Sequence, residues 1–196
     1  MKEPSNVVIV GNGASLIGRG LGGIIDSYEE VVRFNEFRTH GYEADVGNKT
    51  TIWFNNHDTD KSKITSLVPL VRPARMYVHE WNVPDTAPLL LQKAIEHSGV
   101  STQVMRVKKK LLANMTAFAE EKYTMWSSGA IATWMMLQEA ENVILAGFDW
   151  WHQPAKFHYM DEQQFHYHLN SGHQPKVEKR FFDRLAEAGR LQYLYE

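Results

Sequence analysis

Hydrophobic positions along the chain fall into two alternating patterns. Short, largely apolar β-type runs appear at Val7–Val10, Val31–Phe34, Thr51–Phe54, Met76–His79 and Val143–Ala146, with a weaker candidate at Thr102–Val107. Runs of about four apolar residues without alternation suit strands covered on both faces. Between them lie segments with helical spacing. Pro88–His97 places Leu90, Leu91, Ala94 and Ile95 on one face and stops near Gly99. Lys110–Glu121 carries Leu111, Leu112, Met115, Phe118 and Ala119, while Ser128–Ala140 is apolar almost all round and predicts an interior helix. Pro175–Ala188 opens on proline and ends at Gly189, the usual punctuation of a helix. Strands alternating with helices predict an α/β fold, one Rossmann-like domain over 1–196 with a mostly parallel sheet flanked by helices. One stretch has neither period: Trp150–Gly172 concentrates Trp, His, Tyr and Gln. A long aromatic loop inside a compact domain reads as a lid.

Composition narrows the function classes. The chain has 196 residues, 21 basic and 23 acidic, for a net charge of −2. No basic half exists to bind nucleic acid or an anionic membrane, and Lys108-Lys109-Lys110 reads as a solvated helix start. Cysteine is absent, which excludes a disulfide scaffold, a thiolate zinc site and a cysteine nucleophile. The polar start Lys2-Glu3-Pro4-Ser5-Asn6 does not read as a signal peptide, and no apolar stretch approaches the roughly 20 residues of a membrane span. The expectation is a cytoplasmic domain with no transmembrane segment. A homo-oligomer stays open.

Candidate chemistry starts where the first strand ends, at Gly11-Asn12-Gly13-Ala14-Ser15-Leu16. A glycine turn after a strand lets backbone amides approach a phosphate or sugar, and it also serves as a plain tight exit. Leu16 occupies the third position of a G-x-G-x-x-G fingerprint, and no Gly-Lys-Ser/Thr follows, so neither the dinucleotide nor the P-loop motif is present.

The continuation carries more information. Gly18-Arg19-Gly20-Leu21-Gly22, Ile25-Asp26-Ser27, Val32-Arg33-Phe34-Asn35 and Gly41 through Thr51 follow in order. With the opening turn, this stretch resembles the large sialyl motif of the family 29 sialyltransferases. Ser127-Ser128-Gly129-Ala130 with Val143–Phe148 resembles the small motif, His158-Tyr159-Met160-Asp161 the third, and His173 to Glu178 the His-x-x-x-x-Glu motif. Gly-Asn-Gly-Ala-Ser-Leu, Arg-Phe-Asn-Glu-Phe and Asn55 look more like the bacterial family 42 enzymes. Golgi members join the large and small motifs by a disulfide; the matching positions here are Val7 and Ala140. The sequons at Asn48 and Asn114 are read as accidental.

The resemblance implies a GT-A-type variant fold and an inverting, metal-independent transfer from CMP-sialic acid to a glycan hydroxyl, with no further cofactor. It also implies roles. His173 is the expected general base, with an ordinary pKa suited to neutral pH, and His158, helped by Tyr159, holds the departing phosphate. Asn12, Gly13, Ser15, Asn35, Asn55, Ser127, Ser128, Gly129 and Phe148 are the expected donor contacts. The amides of Asn12 and Asn35 suit a cytosine edge, ribose hydroxyl or phosphate, while Ser127, Ser128 and Gly129 open a helix. Glu178 is assigned a structural role, bracing the turn it sits in.

Other readings compete. Asp58-Thr59-Asp60 has the form of a metal-binding Asp-x-Asp element, although Lys61 and Lys63 make it look like a polar loop. His152, His158, His166, His168 and His173 lack the spacing of a helical zinc site. Within the transferase class, CMP-Kdo shares the leaving group of CMP-sialic acid. A CMP-binding module without transfer activity is the alternative from another class.

Overall fold

The computed structural model describes residues 6–56, 67–79, 87–120, 125–150, 158–160 and 174–195. Its strands are β1 (Asn6–Val10), β2 (Glu30–Phe34), β3 (Ile52–Asn56), β4 (Arg75–His79), β5 (Gln103–Arg106), β6 (Asn142–Ala146) and β7 (Gln192–Tyr193). They form one seven-stranded sheet in the order β5-β4-β3-β2-β1-β6-β7. Every pairing is parallel, so the expected mostly parallel sheet is parallel throughout the described residues.

Alternation along each strand divides the core between two faces. On one face Val7, Ile9, Val32, Ile52, Phe54, Tyr77, Val143 and Leu145 pack under α4 (Lys109–Ala119), α5 (Ser128–Met136) and α6 (Pro175–Glu187). The other face carries α1 (Gly22–Ser27), α2 (Glu43–Val46) and α3 (Ala87–Glu96), over Val8, Val10 and Val31 and over Trp53, Met76 and Val78. Helix α5 is buried almost all round, as its sequence predicts, but it ends at Met136 rather than Ala140. Val7 and Ala140 belong to one hydrophobic cluster, where two apolar side chains fill space by packing.

The loop between α2 and β3 is held from beneath. Arg33, 1% exposed, donates from Nη2 to the Val46 carbonyl at 2.6 Å and from Nε to Lys49 O and Thr50 Oγ1. Burial lowers its guanidinium pKa to about 10. Asp26 accepts the backbone N–H groups of Asn48 and Lys49 at 2.9–3.0 Å. These two side chains hold the Val46–Thr50 stretch beside β2, the strand that delivers Asn35.

Candidate active site

The sheet grows from β1 to β5 in one direction, then places β6 on the other side of β1. In open parallel sheets this switch point opens a crevice at the carboxyl ends of the strands. A cleft enclosing about 510 Å³, open solvent included, lies there. Its lining combines Asn12 and Gly13 after β1, Phe34 at the end of β2, Ser127 and Gly129 at the start of α5, Gly147 through Trp150 after β6, His158, and Glu178 of α6.

The glycine turn after β1 is stitched to the end of β6. Gly11 N–H donates to Ala146 O at 2.7 Å and Gly13 N–H to Gly147 O at 3.0 Å. A Cβ at Gly13 would lie 2.5 Å from the Asp149 carboxyl carbon and from Gly147 O, so only glycine fits. Asp149 receives both groups of Ser15, N–H at 2.9 Å on Oδ2 and the hydroxyl on Oδ1. Since a carboxylate only accepts, Ser15 spends its one proton there, and the Tyr195 hydroxyl 2.8 Å away donates to Ser15 Oγ. Tyr195 Oη in turn accepts Gly147 N–H at 3.0 Å, and Arg19 lies over its ring at 3.9 Å. Ser15 is therefore committed within the protein. The second glycine cluster is similarly occupied: Gly20 N–H donates to Asp45 at 2.8 Å. Backbone donors at Gly18 and then Gly20 hold the Asp45 carboxyl below its ordinary range.

The two asparagines expected at the cleft are oriented by their partners. Asn12 Nδ2 donates to Glu36 O at 2.9 Å, which leaves its Oδ1 as an acceptor with no protein partner among the described residues. Asn35 shows the reverse. It adopts φ 52°, and its Oδ1 accepts both Asn56 N–H and Ser128 Oγ–H at 3.1 Å. Its Nδ2 is left without a protein acceptor among the described residues. Ser128 Oγ also lies 2.8 Å from Nε2 of His79, a buried imidazole that desolvation pushes down to about 4.

Ser127 caps α5: its Oγ accepts Ala130 N–H at 3.2 Å. The Glu178 carboxylate then receives Ser127 N–H at 2.8 Å and its hydroxyl at 2.6 Å. Glu178, 1% exposed, is structural as expected, but the turn it braces belongs to α5 and not to its own helix. Its charge sits at the positive end of the α5 dipole. The Ser128 and Gly129 amides have no protein acceptor among the described residues. Gly129 lies close under Phe34 and Phe148, where a Cβ would meet ring carbons at 3.0–3.1 Å. Phe148 stands edge-on to Phe34 at 6.0 Å and packs on Phe182, giving the cleft an aromatic wall.

His158 is exposed at the cleft, and its neighbour fixes it there. Tyr159 N–H donates to Asn12 O at 2.9 Å, and the buried Tyr159 hydroxyl donates to Arg38 O at 2.6 Å. Burial raises the Tyr159 pKa. Tyr159 therefore anchors the 158–160 stretch from beneath and does not line the cleft. Asn55 is not at the cleft either. It shares a face with Trp53, opposite α5, and both of its amide atoms are buried without a partner. Asp149, His79 and Tyr195 were not singled out from the sequence. An acid two residues beyond the strand-end glycine, Gly147, was the one available signal among them.

His173, the lid segment apart from Trp150 and 158–160, the Asp58–Asp60 pair, and His152, His166 and His168 lie outside the described residues. Among the described residues no group of three or more His, Asp or Glu is placed to hold a metal ion. Among them, too, no helix is long and apolar enough to cross a membrane.

Comparison with known proteins bears on this arrangement. The model of glycosyltransferase family 29 (sialyltransferase) matches residues 2–190. The CMP-N-acetylneuraminate-beta-galactosamide-alpha-2,3-sialyltransferase 1 of Sus scrofa is 29% identical over 150 residues, covering 71% of this chain and 43% of the enzyme. The chain thus spans less than half the length of that relative. A mammalian sialyltransferase crystal structure superposes with a TM-score of 0.71 at 20% identity, over 97% of this chain and 69% of that one. The sialyltransferase CstII from Campylobacter jejuni, solved in complex with CMP-3FNeuAc, gives a TM-score of 0.58 at 14% identity, over 96% and 78% of the two chains. The fold is that of the sialyltransferases, and with the family model matched across nearly its whole length the chain belongs to glycosyltransferase family 29.

Proposed function

We propose that the cleft binds CMP-sialic acid and that the chain transfers the sugar to a glycan hydroxyl with inversion and without a metal ion. One observation carries the reading. The cleft sits at the switch point and carries an acceptor, Asn12 Oδ1, at its lining, with a donor, Asn35 Nδ2, one residue beyond the lining Phe34. With the free α5 amides they complement a nucleotide's carbonyl, amine and hydroxyl groups. Gly13 lets the turn close against Gly147 and Asp149 at the cleft lining, and Phe34 and Phe148 supply an apolar wall for a base or sugar face.

In the proposed reaction the acceptor oxygen attacks the anomeric carbon as the bond to the CMP phosphate oxygen breaks. The acceptor proton passes to His173, and CMP leaves with the bonding pair. Asp149 and Glu178 are carboxylates, so His158 is the one described lining side chain able to carry positive charge beside that phosphate. A general base in the role given to His173 contributes about 10²- to 10⁴-fold. Asn55, buried away from the cleft with both amide atoms unpartnered, is given no donor contact in this reading. Absence of cysteine supports folding in a reducing, cytoplasmic setting.

A second reading is a CMP-binding module, since the match to the Sus scrofa relative covers 43% of that enzyme. A donor screen measured by CMP release decides. Turnover of CMP-sialic acid over CMP-Kdo is the expected result. The reverse preference reassigns the donor, and CMP binding without turnover across a glycan panel supports the module.

A further inference from the structure

We infer that His79 is a positioning residue for the nucleotide site, acting through Ser128 to fix the direction of the Asn35 amide. The inference rests on the reading of Asn35 as a donor contact and adds a residue that no family motif supplied. His79 ends β4, three strands away from β1 in sheet order with β2 and β3 between, and reaches the first turn of α5.

Proton accounting sets the order of the relay. Asn56 is a backbone donor to Asn35 Oδ1, which makes that atom the oxygen of the amide. Ser128 Oγ therefore has to donate to the same oxygen, using its only proton. The contact between Ser128 Oγ and His79 Nε2 is then filled by a proton on Nε2, with the serine oxygen accepting. The opposite tautomer would point two lone pairs at each other or pull the Ser128 proton off Asn35. His79 Nε2–H thus holds Ser128 as a donor. Ser128 and Asn56 together hold Asn35 Oδ1 inward, which turns Nδ2 outward with no protein acceptor among the described residues. Asn35 is in the left-handed region at φ 52°, so its backbone is fixed too, with N–H on Phe54 O at 2.8 Å and O receiving Trp53 Nε1–H at 2.9 Å. A rigid backbone with a side chain locked by two donors is what a preorganised ligand contact requires.

Two polar substitutions of similar bulk separate positioning from packing. Glutamine places its amide nitrogen near the position of imidazole Nε2, and asparagine places its own near Nδ1, out of reach of Ser128. Titration of CMP into the full chain is expected to give near wild-type affinity for His79→Gln and about a tenfold loss for His79→Asn, the scale of one hydrogen bond. Donor KM should rise in His79→Asn with kcat little changed. Equal affinities for the two variants, whether both wild-type or both weakened, overturn the relay. If His79→Asn does not fold, a cycle of His79→Gln with Ser128→Ala gives the test: the glutamine must be silent beside serine, and an effect of its own overturns the inference. Wild-type CMP affinity in Asn35→Ala would instead overturn the donor reading of Asn35, and the relay with it.

Discussion

The carboxylate of Glu178 receives both the backbone N–H of Ser127, at 2.8 Å, and the Ser127 hydroxyl, at 2.6 Å. This pair joins the first turn of α6 to the cap of α5, so the segment just after His173 is tied to the helix that opens on the cleft. Removing the carboxylate leaves buried donors unpaired. Glu178→Ala is expected to cost about 2–4 kcal/mol in a denaturant titration and to weaken CMP binding at the same time. Unchanged stability would mean that the pair does not brace the site.

Asn55 gives a prediction with two readouts. Its buried amide lacks partners on both atoms, so Asn55→Leu is expected to stabilise the chain by about 1–3 kcal/mol, raising Tm by a few degrees. Affinity for a CMP-sugar should be unchanged in the same protein, because Asn55 lies outside the cleft. A clear loss of affinity would contradict that placement.

The pH dependence of stability follows from His79. Its folded pKa of about 4 lies below the ordinary 6.5, so the unfolded chain takes up the proton first as pH falls. Stability on this account is full above about pH 7, declines between 6.5 and 4, and loses up to about 3 kcal/mol at the bottom of that window. Denaturation at pH 7 and pH 4.5 should therefore show a smaller acid loss in His79→Gln than in wild type. Equal losses would contradict a neutral buried imidazole.

His158 carries the charge opposite the leaving phosphate in this account. His158→Gln is expected to lower kcat by about 10²- to 10³-fold while CMP binding changes much less. Steady-state kinetics beside a CMP titration check it. A rise in KM alone would make His158 a binding contact only.

Much of the architecture was legible because its signals are local. The apolar runs at Val7–Val10 and Val143–Ala146 are strands on any reading, and they come out paired side by side. The helices Gly22–Ser27 and Glu43–Val46 were not legible, since six and four residues are too short to show a helical period. At the site, the asparagines and serines announced themselves through motifs, but what each one bonds did not. Ser15 meets Asp149 across 134 positions and Tyr195 across 180, His79 meets Ser128 across 49, and Ser127 meets Glu178 across 51. Such contacts are set by strand order. The sequence therefore suggested Ser15 and Tyr159 as ligand contacts, whereas in the fold Ser15 is held by Asp149 and Tyr159 by Arg38.

The central claim is metal-free transfer from a CMP donor with His173 as base. Its most direct test is acceptor-dependent release of CMP from CMP-sialic acid in EDTA, by wild type and by His173→Ala. The account predicts turnover by wild type and a loss of about 10²-fold or more in the variant, with CMP binding retained. Release that requires added Mn²⁺, or equal release by His173→Ala, would contradict it.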